Sequence, residues 1–171
     1  MSETLSNVDS IWQWVNAPHD LFPLVTRKNS DCQPIYDFLL SICNVDILEE
    51  EFIDEQIEGL CDVESLIIYI NKLLPVKSKV LVLLHELGHL MMHQIHRMNE
   101  PIREFQAELF TWVVAESFGI SQPFFHAHYC LNYFSKMKVT TQEYQSIIEH
   151  VLRNVNQFNQ MIKNFQTLSA A

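Results

Sequence analysis

Two histidines four residues apart, with a glutamate directly after the first, form the set of side chains in this sequence best suited to chemistry: His85-Glu86-Leu87-Gly88-His89. On a helix, residues at that spacing share a face, with Cβ atoms about 5–6 Å apart. Both imidazoles can then turn a ring nitrogen to one metal ion at about 2.0–2.1 Å. Glu86 lies one position further, roughly 100° around the axis, so it borders the ion without having to ligate it. From there a carboxylate can take a proton from water that the ion has acidified. The pattern H-E-x-x-H therefore points to metal-assisted hydrolysis. Two core or surface histidines would give the same letters, but a helix that is apolar nearly all round is a costly place for two imidazoles and a carboxylate without partners. Gly88, a poor helix former between the histidines, leaves room for a substrate or a neighbouring strand.

A catalytic zinc usually takes three protein ligands and keeps one position for water. A longer histidine motif would place a glycine at 92 and a histidine at 95, where this chain has Met92 and Ile95. The third ligand is expected from the next helical segment, Arg103-Glu104-Phe105-Gln106-Ala107-Glu108. Glu104 and Glu108 share a face, and like charges at that spacing destabilise an isolated helix unless a cation sits between them. Glu104 is assigned as third ligand and Glu108 as acceptor for the free N–H of a ligating histidine. The spacing equally allows exchanged roles, or two solvated glutamates near a helix start. His93 and His96 lie further along the histidine helix, and His93 reads as a core histidine or one behind the ligands. Arg103, His126, His128 and Tyr129 are candidates to steady an oxyanion.

These residues must be positioned by a chain of 171 residues, a length that suits one domain with a substantial core. An apolar fraction of 48%, with 3 glycines and 6 prolines, argues against disorder and against an all-β fold. The net charge of -10 argues against non-specific nucleic-acid binding and disfavours anionic membranes. Glu3 and Asp9 near the start, without a basic cluster or apolar run, do not make a secretory signal. Leu66 to Ile70 and Val80 to Leu84 are too short to span a bilayer. Cys32, Cys43, Cys61 and Cys130 are scattered without C-x-x-C, as expected of free thiols in a reducing cytoplasm.

Residues 1–34 read as a loosely packed N-terminal segment with a helical piece around Ile11 to Val15, and Trp12, Trp14, Phe22 and Leu24 packing on the domain. A helix is predicted over Pro34 to Cys43, then a short strand over Val45 to Leu48. An acidic run from Glu49 to Glu58 reads as a solvated face. Gly59 with Asp62 reads as a turn. The run to Asn71, Ser-Leu-Ile-Ile-Tyr-Ile, is the best strand. Helices follow over Lys79 to about Met98, from Pro101 to about Phe118, and over 121–134. Thr140 with Glu143 forms a capping box for a last helix over 140–166. Its stripe of Tyr144, Ile148, Val151, Val155, Phe158, Ile162 and Phe165 packs on its own domain or makes a dimer or partner contact. The expected fold is a single α+β domain, mostly helical, with the histidine helix beside a small sheet.

The strand Ile-Ile-Tyr-Ile-Asn at 67 to 71, the helix from Val82 through His85-Glu86-Leu87-Gly88-His89 to His93, and Glu104-x-Gln106-Ala107-Glu108-x-Phe110 together resemble the ImmA/IrrE-type metallopeptidases. Gly59 to Asp62 is similar to that family's glycine-containing turn. About a third of the chain is covered well. The resemblance implies a thermolysin-like zinc core with His85, His89 and Glu104 as ligands of one zinc ion and Glu86 as base. It implies an intracellular enzyme that cuts a specific protein, such as a transcriptional repressor. A second reading is a catalytically silent module that sequesters a regulator through the C-terminal helix. Glu108 stands where the family has Asn or Asp, and Thr111 where it has Ala. Val113-Val114-Ala115-Glu116 replaces its Leu-Leu-Met-Pro ending. No DNA-binding helix-turn-helix is visible.

Overall fold

The structure is a computed structural model that describes residues 32–54, 56–93, 99–120 and 123–169. The expected helical piece around 11–15, the aromatic residues of the N-terminal segment, and His96 lie outside the described residues. The order of elements is α1 (Gln33–Ile42), β1 (Asp46–Glu50), β2 (Gly59–Asp62), β3 (Ile67–Asn71), α2 (Val76–Met92), α3 (Glu100–Ser117), α4 (Pro123–Lys136) and α5 (Thr141–Ser169). The mostly helical α+β architecture matches the expectation from sequence.

Strand β3 is the centre of a three-stranded sheet of order β1-β3-β2, parallel to β1 and antiparallel to β2. Its alternation decides the faces: Ile68 and Ile70 are fully buried, while Ile67 and Tyr69 are only partly covered. The segment from Gly59 to Asp62, expected as a turn, is strand β2 instead. Its pairs with β3 run from Gly59 opposite Ile70 to Asp62 opposite Ile67. Four residues beginning with a glycine carry little strand propensity of their own, so pairing with a strong neighbour decides the outcome. The turn lies after β2, where the Asp62 carboxylate accepts from the backbone N–H groups of Glu64 and Ser65 at 3.0 and 3.1 Å.

Helix α2 lies between the sheet and the other helices, touching β2, β3, α1, α3 and α5. That position explains why Val80, Leu83, Leu84 and Leu87 on one side and Val82 and Leu90 on others are all buried. It begins at Val76, after Pro75, and ends at Met92 rather than near Met98, with His93 as its C-cap residue. At the end of α3, Gly119 has φ 73°, the left-handed conformation that an αL cap demands. The Ile120 N–H reaches Ala115 O and the Gly119 N–H reaches Glu116 O, both at 2.9 Å.

The capping box forms as the sequence implied. Glu143 Oε2 accepts from the Thr140 N–H at 2.8 Å, and Thr140 Oγ1 accepts from the Glu143 N–H at 3.3 Å. The helix it starts, α5, lays its stripe against the domain. Val151, Phe158 and Ile162 are fully buried, and Phe158 meets Phe110 of α3 edge-on at 5.6 Å. Phe165, at the end of the stripe, packs edge-on against Phe38 of α1 at 6.0 Å.

Candidate metal centre

The site forms where α2 and α3 cross. Close approach requires a small residue, and Gly88 provides it: a Cβ there would sit 3.3 Å from the Ala107 Cα and from the Phe110 ring. The room expected beside Gly88 for a substrate or strand is therefore filled by α3. With the helices this close, His85 and His89 of α2 face Glu104 and Glu108 of α3.

Two imidazole nitrogens and one carboxylate converge. His85 Nε2 and His89 Nε2 are 3.0 Å apart. Glu104 places Oε2 at 3.4 Å from His85 Nε2 and Oε1 at 3.6 Å from His89 Nε2. Four ligands about 2.05 Å from a zinc ion in a tetrahedron stand about 3.3 Å from one another, and the separations here, measured to one or the other Glu104 oxygen, are of that size. His85, His89 and Glu104 accordingly form a group able to hold a metal ion. Two imidazoles and one carboxylate are the donor set of an open, hydrolytic metal site, so the residues fit the group that their spacing implied.

Behind the donors, Glu108 Oε1 lies 3.3 Å from His85 Nδ1, where it can accept that nitrogen's proton. His89 Nδ1 lies 3.0 Å from His93 Nδ1, and His93 Nε2 lies 3.0 Å from Gln106 Oε1. The structure thus brings His93 directly behind His89, buried at 7% exposure.

The electrostatics follow from three carboxylates around two imidazoles. Burial works to lower the His85 pKa, but hydrogen bonds to Glu104 and Glu108 outweigh it and push it up to about 10. Burial would raise Glu104, yet the His85 and His89 imidazoles hold its carboxyl far below the usual carboxylate range. The same field that keeps a proton on His85 favours a dication, and ligation must displace that proton. His93 goes the other way: burial lowers it to about 4, so it stays neutral.

Glu86 is buried beside the donors, and burial raises its pKa. Strand β2 flanks it. A Cβ on Gly59 would overlap the Val82 side chain and come within 3.2 Å of Glu86 Oε1. Burial and the Glu86 charge together push the neighbouring Cys61 thiol up to about 12, which leaves it unreactive. All four cysteines are free.

The oxyanion candidates divide. His128 and Tyr129 are exposed on α4 with their rings 6.2 Å apart. The Arg103 charge bears on His93, and its Nε is buried with no hydrogen-bond partner among the described residues. The His126 side chain lies outside the described residues. Tyr133, which sequence reasoning did not single out, lies on α4 where Glu104 and Glu108 add to burial in raising its phenol. Gln106 and Gly59 were also missed as site residues. Gln106 stands among charged neighbours, and its one mark in the sequence is its place in the Glu104-x-Gln106-Ala107-Glu108 segment.

Residues 42–153 match a family model described as the IrrE N-terminal-like domain, a peptidase family, and the match contains every residue of the site. Comparisons with curated proteins and with solved structures returned no match. The matched segment spans most of the described elements, from the end of α1 into α5, and with its two-histidine, one-glutamate centre the chain belongs to the ImmA/IrrE-type metallopeptidase family.

Proposed function

We propose that this protein is a zinc-dependent peptidase of the cytoplasm that hydrolyses a peptide bond in a specific protein target, with a transcriptional repressor as the target class that the family resemblance favours. The observation that carries the reading is the convergence of His85 Nε2, His89 Nε2 and the Glu104 carboxylate, with separations of 3.0, 3.4 and 3.6 Å. When bound, zinc supplies Lewis acidity that brings the pKa of water towards neutrality and polarises a carbonyl.

The chain's own residues do the rest. Glu86, one position after the first ligand, accepts the proton of the attacking water and returns it to the leaving amine. Burial makes its carboxylate a stronger base than an exposed glutamate. Glu108, through His85, orients one ligand ring. Gly59 lets β2 lie against Glu86 and keep it from solvent.

Glu86→Gln is expected to retain the metal and to lose about 10²–10⁴-fold in cleavage rate. The assay incubates native and variant protein with cell extract and identifies new protein amino termini by mass spectrometry. Elemental analysis of native protein should give one zinc per chain, lost in His85→Ala. If native and Glu86→Gln protein yield the same termini, the peptidase reading fails and a module that binds without cutting takes its place.

A further inference from the structure

The two imidazole donors are backed in different ways. His85 turns Nδ1 to a carboxylate, Glu108, at 3.3 Å. His89 turns Nδ1 to another imidazole, His93, at 3.0 Å, and His93 turns Nε2 to the side-chain oxygen of Gln106 at 3.0 Å. Gln106 is 1% exposed and His93 is 7% exposed, so neither can trade its partner for bulk water.

A neutral imidazole has one N–H and one bare nitrogen. For His89 Nε2 to bind an ion it must be bare, so the His89 proton is on Nδ1. That N–H points at His93 Nδ1, which must then be bare, and the His93 proton is on Nε2. The Nε2–H in turn requires an acceptor, which the Gln106 carbonyl oxygen provides. We propose that Gln106 and His93 form a positioning relay that selects the metal-binding tautomer of His89, with the Gln106 amide oxygen as its fixed end.

The proposal rests on the metal-centre reading. Without an acceptor at position 106, the buried His93 Nε2–H would have no partner, a costly state. His93 would instead place its proton on Nδ1 and donate to His89. The His89 proton would then move to Nε2, where it blocks the ion. Glu108 cannot perform this task, because it faces the other imidazole donor.

The test compares Gln106→Met, which keeps length and bulk but loses the acceptor, with Gln106→Glu, which keeps an oxygen at the same reach. Zinc affinity of the full chain is measured by competition with a chromophoric chelator at mildly alkaline pH. Gln106→Met is expected to bind about 10–100-fold more weakly than native protein, and Gln106→Glu close to native. Combining Gln106→Met with His93→Leu should lose little more than the larger single effect, since both break one relay. In the metal-free chain, nitrogen NMR should show His93 moving from the Nε2–H to the Nδ1–H tautomer in Gln106→Met, a change that altered packing alone does not produce.

Native affinity in Gln106→Met, equal weakening in Gln106→Glu, or an unchanged His93 tautomer would overturn the relay. If native protein binds no zinc, the metal-centre reading itself falls, a result distinguishable from all of these.

Discussion

Glu86 depends on a residue that has no side chain. The strand carrying Gly59 lies so close to α2 that a methyl group there meets both Val82 and Glu86. Gly59→Ala is therefore expected to destabilise the fold by about 1–3 kcal/mol, as overpacking does, and, on the peptidase reading proposed above, to slow cleavage by displacing Glu86. Urea unfolding alongside the cleavage assay would show both effects, and an active variant of native stability would contradict them. The grouping of His85 and His89 with Glu104 was legible in the sequence because helical periodicity puts His85 with His89, and Glu104 with Glu108, on one face of each helix. Gln106 and Gly59 were not, because each acts on a residue of another element, and no spacing along the chain encodes that distance. Gly88 was legible as a place of close approach, but the partner proved to be the helix bearing Ala107 and Phe110.

The start and the buried face of α5 were among the most readable features, whereas α2 ends at Met92, short of the expected Met98. The Thr140–Glu143 box and the stripe of α5 are local patterns, and local patterns survive folding. Phe158, fully buried against Phe110, anchors that helix to α3. Phe158→Ala is expected to cost about 3–5 kcal/mol, read by chemical denaturation. A loss below about 1 kcal/mol, close to what a surface substitution costs, would mean that α5 is not seated as described. Strand β2 was misread because its stability comes from β3 and not from its own residues. A separate contact ties α1, β1 and α2 together. Glu49 accepts from the Tyr36 hydroxyl at 2.8 Å and is paired with Lys79. Burial would raise the Glu49 pKa, but those partners lower it overall. A carboxyl whose pKa is depressed on folding stabilises the fold above its unfolded pKa, about 4.3, and loses that contribution as pH falls through the folded value. The stability gap between native protein and Glu49→Gln should therefore be present at neutral pH and close on acidification below that range. A gap independent of pH would count against the pairing.

Across the whole molecule, the order of the sheet was the least readable feature, since β1 pairs with β3 across the intervening β2. What the sequence did convey was the class: few glycines, one long apolar helix, and a small sheet beside it. Metal removal acts at this scale. An ion that binds only the folded chain, at about 100 times its Kd, adds about 2.7 kcal/mol. For a chain of this size a chelator should lower Tm by roughly 5–11 °C, measured by scanning calorimetry, with recovery on adding zinc. An unchanged Tm would mean that the donors hold no ion in the folded state. Because two donors belong to α2 and one to α3, an ion at their meeting point rivets one helix to the other. Separating the pair would also release the ion, so a bound ion would hold closed the seam at Gly88 and Ala107.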